Sequence, residues 1–215
     1  MKTRLFFAGA AIAACALMSA GAQASLFVSA QDDIFLAGQT TVPLFPASQT
    51  QTLVPGNGAG LLPVAVAVTS GETLTLTASG TADCGIGCNP SGPGGNPQFG
   101  TSSIAAYGNV GSYTGTSGEG FQLVGVFNAG PTPWTPFVIG TGGTFVVPAD
   151  ASELYLGLPD GFSFSGPPGT YNDNTGGFTV TGVPEPATWA VMLVGLVGLG
   201  AATARRAGAR RTGAA

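Results

Sequence analysis

The chain contains no histidine, and its six lysines and arginines all stand at its two ends, as Lys2, Arg4, Arg205, Arg206, Arg210 and Arg211. Nucleophilic catalysis of the Ser-His or Cys-His kind therefore lacks its base. Nucleic acid is excluded as a partner, because no basic patch exists between Ser25 and Val183 to meet phosphates. Only three cysteines occur, and the first, Cys15, lies in an N-terminal apolar run. A tetrahedral site built on thiolates and imidazoles would need more soft ligands than that. Helical periodicity is missing from the whole middle of the chain. What the middle does hold is acid: of ten Asp and Glu residues only Glu185 lies outside 25–183, leaving nine with no counter-charge. Such a surface repels itself, and divalent cations relieve it.

The ends read as targeting segments. Met1-Lys-Thr-Arg4 is a basic start, Leu5 to Met18 is apolar, and Ala22-Gln-Ala24 is a small-x-small site, which together predict a secretory signal peptide over 1–24, cut before Ser25. A lipoprotein signal ending at Cys15 is the rival, but the apolar run continues past it. At the other end, Ala187 to Ala204 gives eighteen residues without a charge, ahead of Arg205, Arg206, Arg210 and Arg211. As a helix this run spans roughly 27 Å, about one hydrocarbon thickness, with the arginines holding the cytoplasmic side. A plain transmembrane anchor is one reading. The triplet Pro184-Glu185-Pro186, then the apolar run, then the Arg cluster with Arg205 and Arg206, resembles the PEP-CTERM sorting signal over 183–215. That resemblance implies export by the Sec translocon and signal peptidase in a Gram-negative bacterium. It further implies an inner-membrane-anchored precursor, cleavage by an exosortase-type membrane protease, and delivery to the cell surface or the exopolysaccharide matrix of a biofilm.

Residues 25–183 are about one domain's worth of chain. Val64–Val68 and Thr73–Ala78 alternate at period two, with Leu74 and Leu76 expected inward and the threonines outward. Further strands are expected at Leu26–Ser29, Ile104–Tyr107, Phe121–Phe127, Phe137–Ile139, Thr144–Val147, Glu153–Leu158 and Gly177–Thr181, separated by Gly and Pro clusters. That spacing predicts an all-β protein, a β-sandwich, over 63–182. Residues 25–62 are expected to form a loose N-terminal arm, with Asp33 taking no part in any site. Cys84 and Cys88, four apart among glycines in an exported chain, are expected to form a local disulfide.

Oxygen donors concentrate in one stretch, Leu158 to Val180, which carries Asp160, Thr170, Asn172, Asp173, Asn174 and Thr175 between many glycines. Converging carboxylates, carboxamides and carbonyls suit a hard cation, Ca²⁺ most of all. The same residue types also make ordinary hairpin turns. Pro168-Gly-Thr-Tyr-Asn-Asp-Asn-Thr-Gly-Gly-Phe-Thr-Val180 resembles the calcium loop of the PA-I (LecA-type) galactophilic lectins, with Asp160 ahead of it. Ser70 to Cys84 resembles that family's early strand. The resemblance implies a sandwich of the galactose-binding-like or jelly-roll type. It also implies Ca²⁺ ligands in the side chains of Asp160, Asp173 and Asn174 and the carbonyls of Thr170 and Cys84, with Asp160, Thr170 and Asn174 also facing the sugar. Two departures stand out: Gly161 to Pro167 are inserted, and the histidine that helps the family read its sugar is missing.

Three functions follow. The first is a calcium-dependent, lectin-like carbohydrate-binding module. The second is a structural matrix protein whose calcium only staples loops. The third is a glycosidase pairing Asp150 with Glu153 or Asp160, which no local pattern singles out. No catalysis is expected.

Overall fold

Threonines and leucines alternating from Thr73 make a strand that shows one face to water and one to a core. In the computed structural model this strand, β3, runs Thr73–Asp83, with Leu74 and Leu76 buried and Thr73, Thr75 and Thr77 exposed. The structure describes residues 23–43, 58, 60–85, 87–98, 100–115, 120–184 and 196. The expected signal peptide up to residue 22, Glu185, Pro186, the apolar run 187–204 apart from Leu196, and Arg205 and Arg206 lie outside the described residues. Among the described residues no helix is long and apolar enough to cross a membrane.

Gln23–Pro184 forms one compact unit with its own core, all-β apart from three short 3₁₀ turns. Its first sheet joins β1 (Gln23–Ser29), β11 (Thr175–Pro184), β3 and β8 (Gly142–Val146) in the order β1-β11-β3-β8, all antiparallel. A second antiparallel sheet orders β2 (Val64–Ala67), β9 (Glu153–Gly157), β6 (Val124–Phe127) and β7 (Phe137–Val138). The two pack face to face: one continuous cluster joins Val28, Leu74, Leu76, Phe178 and Val180 of the first sheet to Val66, Leu154 and Leu156 of the second. Burying each such side chain contributes roughly 1.5–3 kcal/mol. The sandwich is thus closed by its own apolar faces.

The second sheet is covered on both sides, which is why β6 reads as a continuous apolar run rather than an alternating one. Val124, Val126 and Tyr155 leave the main core and join a second cluster with Ile34, Phe35, Ala37, Ile104, Val110 and Tyr113. Gly125, pointing the other way, has no room for a side chain: a Cβ there would lie 2.8 Å from Phe137 Cζ.

Of the loose arm expected over 25–62, residues 25–37 are instead built into the fold. Ser25 to Ser29 pair with β11, and Ile34, Phe35 and Leu36 form a wholly buried 3₁₀ turn over the outer face of the second sheet. Asp33 caps that turn, its Oδ1 accepting the Phe35 N–H at 2.8 Å. The arm failed to announce itself because a single apolar turn carries neither helical nor strand periodicity.

A third, small sheet orders β10 (Ser165–Gly166), β4 (Ser102–Ile104) and β5 (Tyr113–Gly115). β10 pairs parallel with β4 and falls inside the inserted stretch Gly161–Pro167. Phe164 of the insertion is buried against Phe121, ring centroids 6.1 Å apart. Two short strands, β5 and β10, were absent from the sequence expectations, and the strand expected at 104–107 lies instead at Ser102–Ile104.

Beyond β3 the disulfide Cys84–Cys88 is formed, with Cα atoms 5.6 Å apart. Asn96 reaches back from the next turn, donating from Nδ2 to the Asn89 carbonyl at 3.0 Å. Closing so short a loop limits the unfolded chain modestly, so removing the bridge by Cys84→Ser with Cys88→Ser costs about 2 kcal/mol. Alkylation of the non-reduced unit labels neither cysteine; two free thiols there would overturn the bridge.

Candidate functional site

Asp160 leaves the end of β9 through Leu158-Pro159 and turns inward, its side chain 3% exposed. Beneath it lies Tyr171, fully buried in the 3₁₀ turn Tyr171–Asp173. The Tyr171 hydroxyl accepts the Asp160 N–H at 2.9 Å and donates to the Leu158 carbonyl at 2.8 Å, so one group clamps both sides of the bend. Tyr171→Phe leaves a buried N–H and a buried carbonyl unpaired and lowers stability by about 1–3 kcal/mol, checked by chemical denaturation.

The insertion does not pull the loop apart. Gly161 N–H donates to Asp160 Oδ1 at 2.7 Å, and Gly169 N–H donates to the Asp160 carbonyl at 3.2 Å. The seven inserted residues therefore bulge outward to β10 and bring the chain back to Asp160. Thr170 follows directly, in the left-handed region at φ 69°, half-buried at the mouth of the loop.

Asn174 is 1% exposed. Its Nδ2 donates to Asp160 Oδ2 at 2.8 Å and to the Ala30 carbonyl at 3.1 Å. Both neighbours are acceptors, which fixes the orientation of the amide. Its Oδ1 is then buried with no hydrogen-bond partner among the described residues. Register across the first sheet pairs Thr175 with Asp83, setting Asn174 beside Cys84. Asp173, half-buried, lies against the same turn: a Cβ on Gly85 would come 2.1 Å from its Oδ2.

Of the residues expected from the sequence, Asp160 and Asn174 are directly bonded, Thr170 follows the Gly169 that bonds the Asp160 carbonyl, and Asp173 lies against Gly85, next to Cys84. Asp160 and Asn174 form a buried floor, while Asp173, Thr170 and Cys84 form a half-buried rim. Two residues were missed. Gln31 ties the turn down, donating from Nε2 to the carbonyls of Asn174 at 3.0 Å and Asn172 at 3.3 Å. Asp33 is the other, and expecting it to stand apart was wrong. A parallel bridge sets Asp33 opposite Leu158, its carboxylate is 0% exposed, and its Oδ2 has no hydrogen-bond partner among the described residues. Tyr171 stands next to it, but the single hydroxyl proton goes to Leu158.

Electrostatics follow from the burial. Desolvation holds the Asp160 carboxyl well above the usual range, with the charges of Asp173 and Asp33 pushing it the same way against the hydrogen bonds from Asn174 and Gly161. Asp33 is pushed up to about 8 by burial, against the Phe35 hydrogen bond and the nearby Tyr171 hydroxyl. Asp32, which accepts the Ser29 N–H, is raised by burial to about 6. No Lys, Arg or His occurs anywhere in 23–184 to offset these charges. Among the described residues no group of three or more His, Cys, Asp and Glu side chains has metal-holding geometry. The residues singled out here would offer carboxylate, amide and carbonyl oxygens, a donor set of the kind that suits a hard cation.

Asp150 precedes β9 and Asp160 follows it, so the five-residue strand, roughly 17 Å long, stands between the members of that pair. That exceeds the carboxylate separation of glycosidases, about 5–9.5 Å. Glu153 is engaged locally, its Oε2 accepting the Tyr155 hydroxyl at 2.5 Å.

No protein-family model and no curated protein matches the chain. A solved structure described as "EclA N-terminal domain; PllA-like lectin" is similar to it at 23% sequence identity and a TM-score of 0.39, the alignment covering 75% of this chain and 95% of that one.

Proposed function

We propose that Gln23–Pro184 is a non-catalytic, calcium-dependent carbohydrate-binding module of the galactose-binding-like sandwich type. The observation that carries this reading is the buried Asp160–Asn174 pair with the unpartnered Asn174 Oδ1, set in the loop whose sequence resembles the lectin calcium loop. Asp160, Asp173 and Asn174 would hold the ion by side chains, with Thr170 and Cys84 offering carbonyls. Ca²⁺ takes six to eight oxygens, so these five leave positions for neighbouring hydroxyls of a sugar. Around them, the half-buried rim at Thr170 and Asp173 gives a sugar its approach. Asp160 and Asn174 would orient its hydroxyls as acceptor and amide. Oxygen chemistry alone suffices, in keeping with a domain that has no His, Lys or Arg.

A second reading, a matrix protein with calcium as a staple, is favoured by the depth of Asp160 and Asn174. Titration of the purified unit against a glycan panel, in Ca²⁺ and then in EDTA, separates the two. Heat with a glycan that disappears in EDTA supports the module; Ca²⁺ binding with no glycan response leaves the staple.

The same proposal takes the chain out of the cell. The disulfide is compatible with an exported protein. The Sec translocon and signal peptidase would release Ser25 onward, and an exosortase would act on the Pro184-Glu185-Pro186 signal, leaving the module at the cell surface or in the exopolysaccharide matrix. Protein recovered from its native host is expected to lack 187–215; an intact mass that still includes Arg210 and Arg211 would leave only a membrane anchor.

A further inference from the structure

Asp33 belongs to an element remote in sequence from the 158–174 loop, yet it ends against it. Leu158 N–H donates to the Asp32 carbonyl at 2.9 Å, and Ile34 N–H donates back to the Leu158 carbonyl at 3.3 Å. This parallel bridge fixes Asp33 two residues across from Asp160, with Tyr171 beside both. One Asp33 oxygen caps the 3₁₀ turn, and the other, wholly buried, has no partner among the described residues. A cap needs only one acceptor, and Asn, Ser or Thr would supply it without burying a charge. A second buried carboxylate beside Asp160, in a domain without cations, is costly unless a cation is near.

We propose that Asp33 is a positioning and affinity-setting residue for the cation site. It does not ligate the ion; its carboxylate supplies buried negative charge behind Tyr171 and Asp160, so that the loop holds a multivalent cation more tightly. This rests on the cation reading given above. Charge placed behind the ligands acts at short range in a poorly screened interior, and its loss lowers Ca²⁺ affinity on the order of tenfold. An isosteric amide also removes the cost of keeping an acid in the interior, whether charged or held protonated, so the metal-free fold gains.

Calorimetric titration of Ca²⁺ into EDTA-stripped Gln23–Pro184 tests this with three proteins: wild type, Asp160→Ala and Asp33→Asn. Each is also melted without metal. The expected pattern is binding by wild type, none by Asp160→Ala, and about tenfold weaker binding by Asp33→Asn together with a higher metal-free Tm. Asp33→Asn that binds Ca²⁺ as tightly as wild type overturns the inference while leaving the cation site standing. A lower metal-free Tm in Asp33→Asn with unchanged affinity marks a structural cap only and also overturns it. Wild type that takes up no Ca²⁺ removes the cation site, and this inference with it.

Discussion

Ca²⁺ added at a hundredfold excess over its Kd is expected to raise the stability of metal-free Gln23–Pro184 by about 2.7 kcal/mol, the gain for an ion that binds the folded loop and not the unfolded chain. For a domain of this size that is an upward shift of roughly 5–10 °C in Tm. EDTA reverses it. Mg²⁺ at the same concentration does far less, since it demands tight octahedral geometry and gives up water reluctantly. Asp160→Ala is expected to abolish the response, because the carboxylate that pairs with Asn174 and accepts the Gly161 N–H is gone. Asp173→Ala removes a rim oxygen and the response with it. Thermal melts of the three proteins in Ca²⁺, Mg²⁺ and EDTA check this; equal curves in all conditions would reduce the loop to a hairpin turn.

Stability of the metal-free protein falls as pH rises from about 4 to about 8. The sign follows from the direction of the shifts. Asp33 is raised to about 8 and Asp160 well above its ordinary value, so both stay protonated in the folded state after the unfolded chain has let its protons go. Their contribution is complete below the unfolded value near 4 and is lost as pH climbs through the folded one. Asp32, raised to about 6, adds its share in the lower part of the same window. The loss is on the order of several kcal/mol, enough to be plain in urea unfolding. Bound Ca²⁺ is expected to offset it at neutral pH by favouring the ionised carboxylates. Asp33→Asn flattens the metal-free profile, which separates this cluster from the general repulsion of an acidic surface. A metal-free profile that rises between pH 4 and 8 would contradict the burial of these groups.

Much of the sandwich was legible because its strands obey simple rules. Thr73–Ala78 alternates and opens β3, which runs on to Asp83, and Glu153–Gly157 is an apolar run between turn residues that lies where it was expected. The candidate loop residues were legible through a local motif: Thr170 to Asn174 are contiguous, and Asp160 returns to them through the Gly169 N–H on its carbonyl and the Tyr171 hydroxyl on its N–H despite the insertion. What stayed hidden depends on contacts far apart in sequence. Asp33 reads as one more surface acid until the bridge to Leu158 buries it. Ile34-Phe35-Leu36 reads as a loose apolar patch until the second sheet is known to need a cover on its outer face. Ser165–Gly166 is too short to show any period, and only its pairing with Ser103 and Ile104 makes it a strand. Local pattern gave the layers; long-range pairing gave the floor of the site.

The most direct measurement uses Tb³⁺ in place of Ca²⁺ and reads the luminescence excited through nearby aromatic rings. Tyr171 lies under Asp160, so an ion held by Asp160, Asp173 and Asn174 sits close enough to be sensitised. Tb³⁺ added to stripped Gln23–Pro184 should therefore emit on tyrosine excitation, lose that emission to excess Ca²⁺, and emit nothing with Asp160→Ala. Dark Tb³⁺ in the wild type, or emission equally strong in Asp160→Ala, would contradict a cation site at this loop.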